Sequence, residues 1–503
     1  MPNHQPAATG TTAPESGTTL ARGAIGLREV LFQSITHMAP AVAVAFSIIV
    51  GANFAAGALP LAVVIALVAC LCVAFSMGEL ARHLPSAGGM YTYTARGLHP
   101  AVGFLVAWAY AIVEPLVAPL LYLIFGFVMA GTLNAEFGWS ADLWWPWTIA
   151  AAVVVFILGY FGIRVSAGAG TILGFFEILV FAALALWLIF EAGGNNDLAV
   201  FGTTYATVPD FEGMTGVFAA SIYAILAFIG FEAAAPLAEE AKDPERTVRQ
   251  AVVYSCLLIG LFYVLTTYGA TVFFGPERMG EFAASGGGNP WDALARSVWG
   301  AGWVLAFLAI QNSAIANSNA AANAATRTWF AMGRIRILPS GLARIHPRFR
   351  SPHVAVVTQL VVALVASLAL GFAYDPLTAF VLIATVVTAV IILIYVAVNI
   401  SCIAFYLRER RGEFNAFKHL VVPIVGILFF IPAWLTAMGI TVFSFVAELS
   451  YPISLAGPIV GVALLIGVIY LIVLYTSNPQ RIRDTGKVFI EEEPGAAAAA
   501  TPV

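Results

Sequence analysis

Three carboxylates stand inside long apolar runs of this sequence, where a charged group needs a partner. They are Glu114 in AIVEPLVAPL, Glu177 in TILGFFEILVF and Glu232 in AFIGFE. No Lys or Arg lies at a comparable depth in these runs, so the basic side chains of the chain do not neutralise them. Ionisable residues in such surroundings mark ion or substrate pathways, and the partners that remain are protons, sodium ions and amines.

The composition decides what surrounds these carboxylates. Of the 503 residues, 61% are hydrophobic and only 10% are charged, and the mean hydropathy is +0.91. A soluble domain carries about 25% charged residues and about 45–50% apolar residues. No aqueous fold of this length can hide so much apolar side chain, so much of the surface must face lipid.

The apolar residues fall into segments of the length that a membrane helix needs, which is about 20 residues. Outer-membrane barrels would instead show alternating segments of about ten residues, and the sequence has none. Twelve segments meet the length requirement, approximately residues 30–56, 59–81, 101–132, 145–163, 169–191, 215–237, 249–274, 299–323, 354–374, 376–406, 420–446 and 453–475. The sequence therefore predicts an all-α integral membrane protein with twelve transmembrane helices.

Basic residues fix the predicted orientation. Of the 23 Lys and Arg residues, all but Arg278 and Arg296 fall at the termini or in loops on one common side of the twelve spans. Positively charged loops stay in the cytoplasm, so both termini are predicted to be cytoplasmic. Residues 1–24 lack the apolar core of a signal peptide, and they and residues 477–503 are predicted to be tails of a twelve-helix domain at 25–476.

Two spans carry residues that weaken a helix near the middle of the membrane. Pro40, in SITHMAPAVAVAFS, removes an N–H donor and clashes with the carbonyl four residues earlier. The ionisable His37 lies one turn before it and is predicted to act in gating or ion coupling. Gly230, two residues before Glu232, costs about 1 kcal/mol relative to Ala in a helix. A broken membrane helix must line protein or water, so these positions predict a polar site.

The two weakened spans are the first and the sixth, which lie five apart in the predicted order. Interrupted helices at matching positions of two five-helix halves mark the site in inverted-repeat transporters. The alternative is that Pro40 only kinks its helix and Gly230 only lets helices pack closely. Glu232 beside Gly230 favours a site, because a carboxylate deep in the membrane costs about 2.5–3.5 kcal/mol even on insertion scales.

Three stretches of the sequence resemble one transporter family. GFEAAAPLAEEAKDPERTVRQA (230–251) resembles the sixth-span signature of the amino acid–polyamine–organocation transporters, which reads roughly G-F-E, then A-E-E, then K-[ND]-P-x-[RK]. MGELARHLPSAGGMYTYTARGLHPAVGFLVAWAY (77–110) resembles the family's loop between spans two and three. ANAATRTWFAMGRIRILPSGLARIHPRFRSPHVAV (322–356) resembles the segment after span eight. The resemblance implies twelve helices in the LeuT-like 5+5 inverted repeat, with helices 1 and 6 broken.

The resemblance also implies where a substrate binds. Its carboxylate would meet backbone amides at the break in span one, around Met38, Ala39, Pro40 and Ala41. Its ammonium group would meet carbonyls of spans one and six, the latter from Ala227, Phe228, Ile229 and Gly230. Helix N-termini favour anions and C-termini favour cations. Many members read G-S-G where this chain reads MAPA, and some exchangers carry a gating Trp at the position of Leu226, so no aromatic lid is expected there.

Glu232 and Glu114 each have two possible roles. Glu232 is predicted to act in gating, and the alternative is a hydrogen bond that stabilises its helix through a neighbouring backbone group. Glu114 is predicted to pair with a cationic or amine-bearing part of the substrate. Alternatively, burial keeps it protonated and it bonds a carbonyl freed by Pro115 or Pro119.

Glu177 aligns with a position in span five where proton-coupled relatives often carry a Lys, which takes the place of a sodium ion. A Glu there could couple to protons with reversed charge, or bind sodium as a hard oxygen donor. Span eight adds Asn312, Asn319 and Asn323 on one helix face. Packing between helices is one interpretation, and the alternative is that Asn312 or Ser313 lines the ion or substrate path.

These patterns predict a secondary active transporter that imports or exchanges an amino acid across the cell membrane by alternating access, coupled to protons. Its partners would be the substrate, a proton or sodium ion, and the lipid bilayer. A polyamine or small-amine transporter is the alternative, and a nutrient sensor that does not transport is a remote one. An enzyme, a cofactor and a metal site are not predicted, because the sequence has no H-E-x-x-H, P-loop or G-x-S-x-G motif.

Overall fold

The computed structural model describes residues 25–484 apart from 87, 163–166 and 239–240, and gives only the backbone at 167–170 and 484. The predicted tail at 1–24 and most of the tail at 477–503 therefore lie outside the described residues. Regular secondary structure in the described part is helical, with an isolated β-bridge between Ile25 and Ala241.

The α-helices of the described residues, in chain order, are α1 (Leu27–His37), α2 (Pro40–Val42), α3 (Ala52–Ala55), α4 (Leu59–Ala81), α5 (Met90–Gly97), α6 (Pro100–Phe137), α7 (Trp144–Tyr160), α8 (Ala167–Ala192), α9 (Met214–Phe228), α10 (Pro244–Phe274), α11 (Met279–Ala284), α12 (Pro290–Trp299), α13 (Trp303–Arg334), α14 (His353–Tyr374), α15 (Pro376–Arg408), α16 (Val422–Ala437), α17 (Ala456–Ser477) and α18 (Pro479–Asp484). Shorter 3₁₀ and π turns connect or extend several of them.

Eleven stretches of the described residues are long and apolar enough to cross a membrane, which confirms an all-α membrane protein. The first stretch, Leu27–Ala81, has 55 residues and would be about 82 Å long as one helix. That is more than twice the hydrocarbon thickness of about 30 Å, so it is long enough for two crossings. Ala56, with φ of 45°, separates its two halves. The count of twelve spans and the inverted repeat stay predictions.

Two helices do not end where the predicted spans end. The eleventh span was expected to reach residue 446, but α16 ends at Ala437, and Gly439 follows with φ of 67°. A left-handed glycine at this point commonly ends a helix. The eighth span was expected to end at 323, whereas α13 continues to Arg334, because its polar last turns stay helical beyond the apolar segment.

The helices divide into an inner and an outer group. The apolar parts of α6, α9 and α15 are mostly buried, whereas no more than about a third of the residues in those of α7, α14, α16 and α17 are buried. The exposed side chains are large and apolar, such as Phe190 on α8 and Leu465 on α17. Exposed apolar faces of this extent suit lipid rather than water, so the inner helices form the protein core within the bilayer.

Both predicted helix interruptions are present. α1 ends at His37, Ala39 adopts a left-handed conformation (φ 47°, ψ 65°), and Pro40 starts α2, which continues as the π turn Ala43–Ile48. α9 ends at Phe228, Gly230 follows with φ of 122°, and the chain resumes as the 3₁₀ helix Phe231–Leu237.

Candidate functional site

The two helix interruptions lie directly against each other. A Cβ atom placed on Gly230 would lie 2.6 Å from the carbonyl carbon of His37, which leaves no room for any side chain. The Ser34 hydroxyl donates a hydrogen bond of 2.9 Å to the carbonyl of Phe231. The broken segments of spans one and six therefore pack backbone to backbone.

Tyr263 of α10 joins the ends of the two broken helices. Its hydroxyl lies 2.8 Å from the Met38 carbonyl oxygen and 2.9 Å from the Ala227 carbonyl oxygen. These carbonyls lie at the C-terminal ends of α1 and α9, where helix dipoles favour positive charge. The sequence analysis missed Tyr263, because a tyrosine in an apolar span has no feature that distinguishes it from a core residue.

A small cavity of about 40 Å³ lies beside the interruptions. Ligand pockets measure about 300–1,000 Å³, so the cavity is nearly closed in this conformation and has to widen before it holds a small molecule. Its only polar side chains among the described residues are Ser47 and Asn317, neither of which was predicted. The whole lining is Met38, Ala39, Val42, Ala43, Ser47, Val117, Leu120, Leu121, Leu226, Ala227, Ile229, Asn317 and Phe380.

The lining contains some of the predicted substrate-binding residues and not others. Met38, Ala39, Ala227 and Ile229 face the cavity, and so does Leu226, where an aromatic lid was not expected. The other members of the predicted set lie outside its lining: Pro40, Ala41, Glu114, Phe228 and Gly230.

The expectation of freed amides at the first interruption was wrong for this conformation. The amides of Met38 and Ala39 donate within the end of α1, to the Ser34 and Thr36 carbonyls. The Ala41 amide donates to the Glu177 carboxylate over 3.3 Å. Pro40 has no N–H. Each of these amides is therefore engaged, two within the end of α1 and the third with a side chain of α8.

Three residues that the sequence analysis assigned to gating or ion coupling lie together at this point: Glu177, Asn312 and Ser313. Glu177 Oε1 accepts a hydrogen bond of 3.2 Å from the Asn312 side chain, and its Oε2 accepts the Ala41 amide. The Val42 amide donates to the Ser313 hydroxyl over 3.4 Å. A buried carboxylate from α8 and two polar side chains from α13 thus surround the start of α2.

Glu232 stabilises the second interruption. One carboxylate oxygen accepts hydrogen bonds of 2.9 Å from the Gly230 amide and of 2.9 Å from the Tyr395 hydroxyl of α15. Glu232 is nearly fully buried. This geometry matches the alternative of a helix-stabilising hydrogen bond to a neighbouring backbone group. A gating role for Glu232 stays a prediction.

Glu114 faces His37 rather than the cavity. His37 Nε2 lies 3.2 Å from Glu114 Oε1, and both side chains are almost completely buried. His37 also interacts electrostatically with Glu232. The absence of deep Lys and Arg residues did not reveal this partner, because it is a histidine 77 positions away in the chain.

A fourth buried glutamate, Glu79, lies at the end of α4 and was not predicted. Its carboxylate lies 2.9 Å from Arg249 of α10, 3.1 Å from Arg82 and 3.4 Å from His419. The Tyr406 hydroxyl of α15 donates to its backbone carbonyl over 3.1 Å. Glu79 therefore connects α4, α10, α15 and the turn before α16.

Comparison with known proteins decides the family. A sequence model of the amino acid permease family matches residues 25–465. The chain belongs to the amino acid permease family. It is a multi-pass membrane transporter of the amino acid–polyamine–organocation superfamily.

Two relatives match over 79% of their length and a third over about half of its length. The low-affinity putrescine importer PlaP of Escherichia coli (strain K12) is 27% identical over 385 residues, which is 74% of this chain and 79% of the relative. The branched-chain amino acid permease BcaP of Bacillus subtilis (strain 168) is 28% identical over 396 residues, 75% of this chain and 79% of the relative. The general amino-acid permease GAP2 of Candida albicans is 29% identical over 318 residues, 59% of this chain and 51% of the relative.

Proposed function

We propose that this permease is a secondary active transporter for an amino acid with an apolar side chain, which it moves across the cell membrane by alternating access. The observation that carries the proposal is the cavity between the two helix interruptions, which is small and has a mainly apolar lining. Burial of apolar surface contributes about 25 cal/mol per Å², so such a lining favours an aliphatic side chain.

The carbonyl oxygens of Met38 and Ala227 are the proposed acceptors for the substrate's ammonium group. Both residues line the cavity, and both oxygens belong to the C-terminal end of an interrupted helix. Each carbonyl oxygen has two lone pairs. It can therefore accept from an ammonium group while the Tyr263 hydroxyl keeps the other bond.

A polyamine or small amine is the second candidate cargo, supported by the likeness to a putrescine importer. Its second ammonium group would need an anionic partner, and the lining contains no carboxylate. Glu114, the predicted partner, is engaged with His37. A zwitterion with an apolar side chain therefore fits the cavity better than a diamine.

The proposal also includes coupling to protons, cytoplasmic termini and a location in the inner or plasma membrane. The buried Glu177, in contact with the resumed helix of span one, supports coupling to a cation. Most Lys and Arg residues lie on the same predicted side of the membrane as the termini, which supports cytoplasmic termini. Uptake into liposomes would also distinguish this transporter from a nutrient sensor, which would bind the same molecules without moving them.

The test is thermal stability of the purified protein with leucine, alanine, lysine or putrescine, at pH 5.5 and 7.5, with and without sodium. A ligand present at 100 times its Kd stabilises the folded state by about 2.7 kcal/mol. We expect leucine to raise the melting temperature most, without a need for sodium. Stabilisation by putrescine alone would overturn the amino acid assignment and favour the amine transporter.

A further inference from the structure

We infer that a groove between the end of α4 and the start of α10 binds a membrane phospholipid whose headgroup has a phosphate and a primary ammonium, as in phosphatidylethanolamine. The groove has a volume of about 570 Å³, which falls within the range of about 300–1,000 Å³ for ligand pockets. Among the described residues it shares no lining side chain with the cavity at the helix interruptions, so the inference goes beyond the proposed function.

Three guanidinium groups line this groove and could hold a phosphate. Arg82 directly follows α4, and Arg246 and Arg249 lie in the first two turns of α10. Arg82 and Arg249 share the carboxylate of Glu79, over 3.1 and 2.9 Å, yet each side chain is 38% exposed. A guanidinium group has five N–H donors and binds phosphate oxygens in pairs, so both arginines keep donors for a phosphate.

The groove also contains two carboxylates, which an ammonium group requires as acceptors. Asp243 caps the start of α10, where it accepts a hydrogen bond of 3.3 Å from the Arg246 amide, and Glu245 lies in the first turn. Both side chains are exposed. The described lining residues and Glu79 together have three guanidinium groups and three carboxylates. A zwitterionic headgroup keeps this balance and an anionic headgroup does not, so the charges favour the zwitterion.

The order of these groups along α10 matches the order of groups in a phospholipid. Glu245 lies one turn, about 6 Å, before Arg249, and Leu258 lies about 14 Å after it. Tyr254 lines the groove, and Leu258 and Leu261 continue its exposed face at 53% and 54% exposure. Tyrosine favours the level of the headgroups, and exposed leucines face the acyl chains. Carboxylates, guanidinium groups and an apolar face therefore follow one another as ammonium, phosphate and acyl chains do.

The predicted orientation places this groove where such a lipid is present. The start of α10 lies on the side of the membrane that carries most Lys and Arg residues, which is the predicted cytoplasmic side. Basic pockets between membrane helices on that side bind lipid headgroups. A soluble phosphate compound would use the guanidinium groups but not the apolar end of the groove, so a lipid fits the whole lining better.

The experiment measures lipid retention by the full-length protein in detergent, by native mass spectrometry after addition of equal amounts of phosphatidylethanolamine and phosphatidylglycerol. We expect the wild type to retain more phosphatidylethanolamine. Arg246 is exposed, so Arg246→Gln should fold, and it should bind this lipid about fivefold more weakly, as expected for loss of one exposed ion pair. Arg344→Gln, which is exposed on the same predicted side and lies outside the groove, is the matched control and should bind like the wild type.

A second variant tests the ammonium contact. Glu245→Gln removes one of the two carboxylates of the lining. It should reduce the preference for phosphatidylethanolamine over phosphatidylglycerol by about fivefold, because only the first lipid has an ammonium group to lose this partner.

Equal retention of the two lipids by the wild type overturns the inference, and so does unchanged binding by Arg246→Gln. Phosphorylethanolamine, which has the headgroup without acyl chains, distinguishes a lipid from a soluble phosphate. If it raises the melting temperature as much as the lipid does, the groove is a site for a soluble compound and the inference is wrong. If Arg246→Gln does not fold, phosphatidylcholine decides on the wild type, because its methylated nitrogen has no N–H to donate. Weaker retention of phosphatidylcholine than of phosphatidylethanolamine supports the inference, and equal retention refutes it.

Discussion

The imidazole Nε2 of His37 lies 3.2 Å from Oε1 of Glu114, which joins the last turn of α1 to the middle of α6. Their exposed fractions are 2% and 0%, so neither group can use water as a substitute partner. The contact therefore fixes the position of the first interruption against the third predicted span.

We predict that Glu114→Gln and His37→Gln each lower the melting temperature of the detergent-purified protein. Removal of one member of a buried pair costs about 3–5 kcal/mol, because the other is left uncompensated. The double variant should lose less than the sum of the two, since residues in contact couple by about 0.5–3 kcal/mol. Glu281→Gln, in an exposed pair with Arg278, is the control and should change little.

Uptake measurements on Glu114→Gln separate this structural role from substrate contact. Selective loss of cationic cargo, with normal folding and normal uptake of neutral amino acids, would show that Glu114 binds the substrate directly.

Gly230→Ala should abolish transport and destabilise the fold. The new methyl group would lie 2.6 Å from the His37 carbonyl carbon, and φ of 122° is strained for any residue with a Cβ. Gly131→Ala in α6 is the matched control, because nothing lies within 4 Å of its added Cβ. The control should be neutral or stabilising, by up to about 1 kcal/mol. Normal uptake by Gly230→Ala would contradict the close packing of the two interruptions.

Glu232→Gln and Tyr395→Phe test the second interruption. The carboxylate accepts from the Gly230 amide and from the Tyr395 hydroxyl, each over 2.9 Å. Tyr395→Phe removes one hydrogen bond and should cost about 1.5–3 kcal/mol, the range for a bond to a charged group. Glu232→Gln keeps an acceptor oxygen, so it should fold and retain substrate binding. Complete loss of leucine binding in a folded Glu232→Gln protein would favour the gating role instead.

Glu79→Gln should destabilise the protein by more than the loss of an exposed ion pair and by less than the loss of a buried one. Exposed ion pairs contribute about 0–1 kcal/mol, and breaking a buried pair costs about 3–5 kcal/mol. Glu79 is 1% exposed, but Arg82 and Arg249 are each 38% exposed, so the loss should fall between these values. Thermal unfolding measures it, with Glu281→Gln again as the control. A loss no larger than that of the control would show that the cluster does not hold the helices together.

The features of the site that the sequence predicted correctly are local ones. Pro40 and Gly230 act on their own backbone, so each interruption could be located from one residue type and its depth in a span. The meeting of Glu177 with Asn312 and Ser313 was anticipated only as two separate positions, because their contact depends on how α8 and α13 pack.

The features that the sequence did not predict depend on tertiary contacts. Tyr263, Asn317 and the pairing of His37 with Glu114 involve residues far apart in the chain. The amides of Met38, Ala39, Ala41 and Val42 show the same limit. Helix geometry predicts that a break frees them, but only the packing of neighbouring helices determines which groups accept from them.

The isolated bridge between Ile25 and Ala241 has a mechanical consequence. The Lys242 amide donates to the Ile25 carbonyl over 3.0 Å, so the start of α1 is joined to the chain that follows the 3₁₀ helix Phe231–Leu237. Ser34 and Gly230 join the same two segments further along. The start of span one and the second half of span six are thus attached to each other along their length. We therefore expect the two half-helices to move together in any rearrangement of the transporter, and to separate from the surrounding helices rather than from each other.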